Sequence, residues 1–253
     1  MSKRTAAREL AFLMPHLRPG MTILDCGCGP GSITIGLAEA VAPGDVVGVD
    51  VEPRQLDSAR QLAAERGVPN LRFESASIYE LPFADASFDV AVAHFVIEHV
   101  SDPLRALREM RRVLKPGGIA AVKDPYYPAF TLRPRIPTIV RFEELTAKVR
   151  ARIGASVAYA ADLRAYLLEA GFERTVAEAG TETPAGSEAG SQLLPFVMQN
   201  QLRERVFRET ILEQGWATPS ELDALHREAG ALAERNDLFA FVVYVQALGW
   251  AAG

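Results

Sequence analysis

Three glycines alternate in Asp25-Cys26-Gly27-Cys28-Gly29-Pro30-Gly31, directly after the apolar run Met21-Thr22-Ile23-Leu24 and ahead of a helical pattern through Ile33, Ile35, Leu37 and Val41. Residues without a Cβ at this spacing let the chain turn sharply and let a ligand lie against main chain. The helix start behind them offers free N–H groups to an electron-rich group. A second apolar run, Val46-Val47-Gly48-Val49, ends on Asp50, placed to accept hydrogen bonds from ribose hydroxyls. The dinucleotide fingerprint G-x-G-x-x-G is the competing reading, and it fails at Ser32, where its third glycine belongs. Asp25 argues the same way. A carboxylate aimed at a pyrophosphate repels it, whereas one facing the ammonium of an amino-acid tail attracts it. The pattern suits a nucleoside that carries a zwitterionic methionine tail.

The elements that must hold this turn alternate along the first half of the chain. Leu10, Leu13, Met14 and Leu17 predict a helix over 5–17, stopped by Pro19-Gly20. Strands are predicted at 21–24, 46–50, 71–74, 88–93 and 119–122, with helices over 33–41, 53–66 and 101–114 between them. Ser101 is the expected N-cap of the last of these, and Lys115-Pro116-Gly117-Gly118 its stop. Strands and helices in this alternation imply right-handed crossovers and a mostly parallel sheet. Tyr126 to Pro137, rich in aromatics and proline, is expected to be a structured loop. Helices are expected at 139–153, 161–170, 192–214 and 219–235, strands at 172–179 and 238–245, and a flexible loop at 180–191.

The stretch from Ile23 to Gly118 resembles the class I S-adenosylmethionine-dependent methyltransferases, in particular the small-molecule branch similar to ubiquinone/menaquinone C-methyltransferases. The segments that carry the likeness are Ile23 to Gly31, Val49-Asp50, Leu81-Pro82-Phe83, Ser87-Phe88-Asp89, Glu98-His99 and Leu114 to Gly118, in family order and spacing. The resemblance implies an α/β, Rossmann-like fold: a seven-stranded, mostly parallel sheet with helices on both faces and the last strand inserted antiparallel. It implies one methyltransferase domain over 1–253. Segments 126–153 and 192–235, which lie beyond the stretch that carries the likeness, are expected to form a helical cap over the acceptor pocket, since added segments carry specificity on such a scaffold. It further implies S-adenosyl-L-methionine as cofactor and S-adenosyl-L-homocysteine as product. Asp25, Gly27, Cys28, Gly29 and Gly31 would then line the methionine end, Asp50 would hold the ribose and Val51 would pack on adenine. Where the family commonly has an aspartate for the adenine amino group, this chain has Ser77, whose hydroxyl can accept one hydrogen bond with the backbone at Ile78 helping.

A sulfonium is already an activated methyl donor, so alignment in a dry pocket supplies most of the acceleration, and a base matters only if the acceptor must lose a proton. His94, at the end of the fourth strand, is the best candidate base and a cofactor neighbour; a role through its backbone carbonyl alone is the competing reading. Tyr126 and Tyr127 follow the fifth strand and would orient an acceptor or pack the loop. Phe95 and Phe130 read as pocket wall, and His99 as a structural element at a helix start. Arg105, Arg108, Arg111 and Arg112 read as a solvated helix face.

The chain of 253 residues has 49% hydrophobic residues and a formal net charge of -5, a balance that does not favour nucleic acid. No apolar run approaches the ~20 residues that span a bilayer, and the N-terminus lacks a signal-peptide core. Cys26 and Cys28 are too close for a disulfide and lack the other ligands of a metal site, as befits a reduced, cytoplasmic protein. The expected partner is a small-molecule acceptor nucleophile at O, N or C, as in secondary metabolism; oligomeric state is not legible from the sequence. A chain that binds the cofactor without methylating, or a cyclase or lyase that keeps it as scaffold, would show the same turn and the same Asp50.

Overall fold

The computed structural model describes residues 5–152, 159–185 and 193–253. In chain order the strands are β1 (Ile23–Cys26), β2 (Val46–Asp50), β3 (Leu71–Ser75), β4 (Phe88–His94), β5 (Leu114–Arg133), β6 (Arg174–Ala185) and β7 (Phe239–Trp250). The helices are α1 (Ala6–Glu9), α2 (Ser32–Val41), α3 (Pro53–Arg66), α4 (Pro103–Val113), α5 (Pro137–Arg152), α6 (Leu163–Glu169), α7 (Leu193–Arg203), α8 (Arg205–Glu213) and α9 (Pro219–Ala231). The strands form one sheet in the order β3-β2-β1-β4-β5-β7-β6. β1 pairs in parallel with β2 and β4, β2 with β3, and β4 with β5. Next to β5 the direction reverses: Gly117 N–H donates to Ala252 O while Ala251 N–H donates to Gly118 O, numbering that runs oppositely on the two sides.

The chain divides into two compact units, 1–124 with 160–179 and 245–253, and 125–159 with 180–244. In the first unit Ile23, Val90, Val92, Ile119 and Ala121 share one buried face of the sheet with Leu10, Leu13, Leu37 and Val41 from the helical side. Their alternates Leu24, Ala91, Ala93, Ala120 and Val122 are also fully buried, as strands covered on both faces must be. The second unit has its own core, built from α5, α7, α8 and α9 around Phe142, Leu145, Met198, Ile211 and Leu225.

Several elements depart from the sequence expectations. The N-terminal helix is one α-turn that ends at Leu10, with φ -116° and ψ 30°, followed by a 3₁₀ turn at Met14–His16 with Pro15 in its first turn; Leu10, Leu13 and Leu17 are buried all the same. Asp102, not Ser101, caps α4, accepting from Arg105 N–H at 2.9 Å, and Ser101 Oγ instead meets Tyr79 Oη. The expected loop at Tyr126 to Pro137 is strand as far as Arg133. The β4 ladder ends at Lys123, so Pro125 and Pro128 forfeit no bond on that side. The expected loop over 180–191 is strand up to Ala185, and its remainder lies outside the described residues, as does residue 192. The single helix expected over 192–214 breaks at Glu204, whose ψ of 131° leaves the helix and whose carboxylate accepts from Val206 and Phe207 N–H to start α8.

The arginine face of α4 is not simply solvated. Arg112 donates to both oxygens of Glu109, to Asp85 and to the carbonyls of Leu81 and Phe83, and Glu109 also accepts from Leu81 N–H. The Leu81-Pro82-Phe83 segment is thereby fastened to the helix. Arg111 bonds the Gly171 carbonyl, and the Arg105 guanidinium lies over the Tyr79 ring at 5.0 Å. Arg112→Ala strips two carbonyls and Glu109 of their donor together. It is expected to cost about 2–3 kcal/mol, or roughly 5–10 °C in melting temperature. Scanning calorimetry checks this, and an unchanged transition would mean water replaces the guanidinium without loss.

Candidate active site

The strand order reverses about β1, so the crevice at the carboxyl ends of β1 and β4 is where an open α/β sheet accepts a ligand. The glycine turn lies there. Gly27 and Cys28 N–H both donate to Val49 O, at 2.7 and 3.0 Å, and Gly29 N–H donates to Asp50 Oδ2 at 2.9 Å. Asp50 Oδ1 accepts from Glu52 N–H at 2.9 Å. The strand-end acid thus fixes the turn and the start of the next loop at once, with further lone pairs left for other donors.

Gly27 and Gly29 are glycines for different reasons. Gly27 has a φ of 69°, and a Cβ there would sit 2.4 Å from Val96 Cγ2. Gly29 has a φ of 52°, and a Cβ would meet nothing within 4 Å. One glycine is closed off by the protein; the other faces open space. Gly31, at a φ of 80°, begins α2 without a side-chain cap. Val51, immediately after Asp50, is 69% exposed, a bare apolar surface at the strand end. Ile78 is buried, and Ser77 Oγ accepts from Tyr79 N–H at 3.2 Å.

Asp25 lies inside β1, 2% exposed, and Thr34 Oγ1 donates to its Oδ2 at 2.7 Å. Burial pushes its carboxyl up to about 7, with Asp50 adding to the rise and the Thr34 bond opposing it. The folded state therefore holds this proton more tightly than the unfolded chain does. Its stabilising effect is complete below the ordinary carboxyl range and is lost as pH rises to 7. Asp25→Asn should raise the melting temperature of the ligand-free protein at pH 8 and leave it nearly unchanged at pH 4. A lower melting temperature at pH 8 would show that the carboxylate has a stabilising partner. Cys26 and Cys28 are free and buried, and burial raises both thiols, which favours the protonated form at neutral pH.

His94 is the last residue of β4, in register with Lys123 of β5. Its ring stacks on Phe95 with centroids 4.0 Å apart. Phe95 itself holds a φ of 59°, a strained conformation for a side-chain-bearing residue. His99 ends a 3₁₀ turn, Ile97–His99, with its side chain 68% exposed and Nε2 3.7 Å from Glu98 Oε1. Tyr126, Tyr127 and Phe130 belong to the second unit, where Phe130 packs on the core and the Arg150 guanidinium lies 3.4 Å from the Tyr127 ring centroid. Asp89 binds at the opposite end of the sheet, accepting from Thr22 and Lys115, so the Ser87-Phe88-Asp89 and Leu114-to-Gly118 segments tie the strand beginnings together.

Two charged residues near His94 went unnoticed in the sequence. Glu9 is 4% exposed and Lys123 is 5% exposed, and they pair at 3.1 Å. The signal for Glu9 was its place on the stripe Ala6, Glu9, Leu10, Leu13, where a carboxylate among apolar residues must find a partner.

A sheet of this order, with a glycine turn and an acid at adjacent strand ends, defines a Rossmann-like α/β protein, a fold that in general takes its ligands across the strand ends. The chain belongs to the methyltransferase domain family, whose model matches residues 17–170. It is 38% identical over 128 residues to an uncharacterized methyltransferase of Schizosaccharomyces pombe, covering 48% of this chain and 46% of that one. It is also 38% identical over 123 residues to a 2-phytyl-1,4-naphtoquinone methyltransferase of Trichormus variabilis, covering 48% and 54%. The chain spans about half the length of the curated relatives it matches. Its fold is that of the YcgJ protein from Bacillus subtilis, with a TM-score of 0.66 at 20% identity over 97% of this chain and 98% of that one.

Proposed function

We propose that the chain transfers a methyl group from S-adenosyl-L-methionine to a small-molecule acceptor. The observation that carries this is the turn: Gly27 is sealed by Val96, Gly29 opens outward, and Asp50 is fixed beside them at the end of β2. These residues fit the cofactor. Asp50 keeps acceptor capacity for the ribose hydroxyls, and Val51 offers an exposed apolar side chain to the adenine. Ser77 and the backbone at Ile78 would serve the adenine edge. Gly27, Cys28, Gly29 and Gly31 would flank the methionine portion, with Asp25 beneath the turn. When bound, the cofactor supplies a sulfonium-activated methyl group, so the protein's task is alignment and exclusion of water.

His94 is our candidate for receiving an acceptor proton, and Tyr126 and Tyr127 for orienting the acceptor. We assign acceptor choice to segments 126–153 and 192–235, since a family scaffold is diversified by its added segments. The net charge of -5 favours a small molecule over nucleic acid. Among the described residues no helix is long and apolar enough to cross a membrane, and the buried free thiols suit a reducing, cytoplasmic setting. Incubation with methyl-labelled cofactor and a panel of phenols, amines, keto acids and isoprenoid quinones tests the reading. Label transfer to one class is expected; tight cofactor binding with no transfer across the panel would favour a non-methylating use.

A further inference from the structure

We infer that the open edge of β3 pairs with β3 of a second copy of this chain, antiparallel and with two-fold symmetry about Phe73. The inference is independent of the methyl-transfer reading. β3 is the first strand of the sheet and pairs only with β2. Val46 N–H donates to Asn70 O and Ala76 N–H to Asp50 O, so residues 70, 72, 74 and 76 turn their backbone groups toward β2. Leu71, Phe73 and Ser75 therefore turn theirs outward. Among the described residues one donor meets that side, Arg60 Nη2, which donates to Phe73 O at 3.2 Å. A carbonyl carries two lone pairs, so Phe73 O can take a second donor.

Charges on an edge strand ordinarily discourage pairing. On β3 their order favours one partner. The strand reads Leu71-Arg72-Phe73-Glu74-Ser75, with an arginine just before its centre and a glutamate just after. Phe73 packs with Ala59 and Ala63 of α3, so Arg72 and Glu74 share the other face. There Arg72 Nε donates to Glu74 Oε1 at 2.8 Å, and the side chains stay 55% and 38% exposed.

In the register centred on Phe73, the outward groups of Leu71, Phe73 and Ser75 meet those of Ser75, Phe73 and Leu71 of the other copy. Arg72 of each copy then lies directly opposite Glu74 of the other, an attractive cross-strand pair made twice. Moving the centre to Arg72 or to Glu74 sets like charges against each other, as does a parallel pairing in register. The contact within each copy survives, because a carboxylate accepts from several donors and a guanidinium offers several. An apolar groove of about 620 Å³, lined in part by Ala63, Val68, Pro69, Leu71 and Phe73, opens beside the same edge. The second copy thus meets apolar surface as well as open hydrogen bonds.

Sedimentation equilibrium of the full chain over a range of concentrations tests this. The wild type is expected to form a reversible dimer. Arg72→Glu and Glu74→Arg each set like charges against each other across the pair, and each should weaken dimerisation at least about tenfold. Mixed in equal amounts, the two single variants should form a heterodimer, since every charge then faces its opposite. The double variant Arg72→Glu/Glu74→Arg should dimerise like the wild type. A wild type that stays monomeric at every concentration would overturn the proposal and leave the edge to a strand of another protein. Dimerisation unchanged in the single variants, or folded single variants that fail to associate on mixing, would overturn it as well. Amide hydrogen exchange of the wild type needs no variant to fold: protection at Leu71, Phe73 and Ser75 should rise with protein concentration, and protection that stays constant while dimer forms would place the dimer on another face.

Discussion

Asp50→Ala is expected to weaken S-adenosylhomocysteine binding by about 1–3 kcal/mol, roughly 5- to 150-fold in Kd. The size comes from two losses. The ribose hydroxyls lose a charged acceptor, and the turn loses the bond that holds Gly29 N–H at 2.9 Å. Glu52 N–H loses its partner as well, which loosens the entry to α3. All these donors lie near solvent, so water partly replaces the carboxylate and the fold itself should lose only about 1 kcal/mol. Asp50→Asn keeps one acceptor oxygen and should fall between wild type and alanine. Calorimetric titration distinguishes the three, and an Asp50→Ala Kd within twofold of wild type would remove Asp50 from the cofactor site.

The two glycines of the turn should respond differently to alanine. At Gly29 the added Cβ meets no protein atom within 4 Å, so stability should fall only by the left-handed backbone term, about 1–2 kcal/mol. That same Cβ occupies the space assigned to the methionine portion, and S-adenosylhomocysteine affinity should fall at least about tenfold, 1.4 kcal/mol. At Gly27 the Cβ collides with Val96, so the backbone term and overpacking add to about 2–5 kcal/mol of lost stability. Val96→Ala should return part of that stability to Gly27→Ala and none to Gly29→Ala. Denaturant unfolding and calorimetry on the four proteins check the contrast. Equal losses of stability at both glycines, or full binding by Gly29→Ala, would contradict the geometry.

Much of the first unit was legible because its signals are local. Val46 to Asp50 and Pro53 to Arg66 fall where apolar runs, proline and Gly67 put them. Beyond residue 124 the same cues misled. Pro125 and Pro128 read as loop, since proline is excluded from a paired strand, and only the end of the β4 ladder at Lys123 shows that no bond is missed on the β4 side. The break at Glu204 was hidden because glutamate is a good helix former, and its capping role depends on the backbone leaving the helix.

For the site, the glycines and Asp50 were readable because spacing alone imposes their geometry. The partners were not. Val96 against Gly27 joins residues 69 apart, and Lys123 with Glu9 joins residues 114 apart, so no window along the chain contains either pair. Arg112 illustrates the same limit, since its position on α4 suggests solvent while its partners come from the 81–85 segment.

The central claim, that the turn takes a methionine-bearing nucleoside and not a dinucleotide, is tested most directly by calorimetric titration of the wild-type chain with S-adenosylhomocysteine and, separately, with NAD. Saturable binding of S-adenosylhomocysteine at one site per chain with no heat from NAD is the expected result. Binding of NAD with none of S-adenosylhomocysteine would contradict the account.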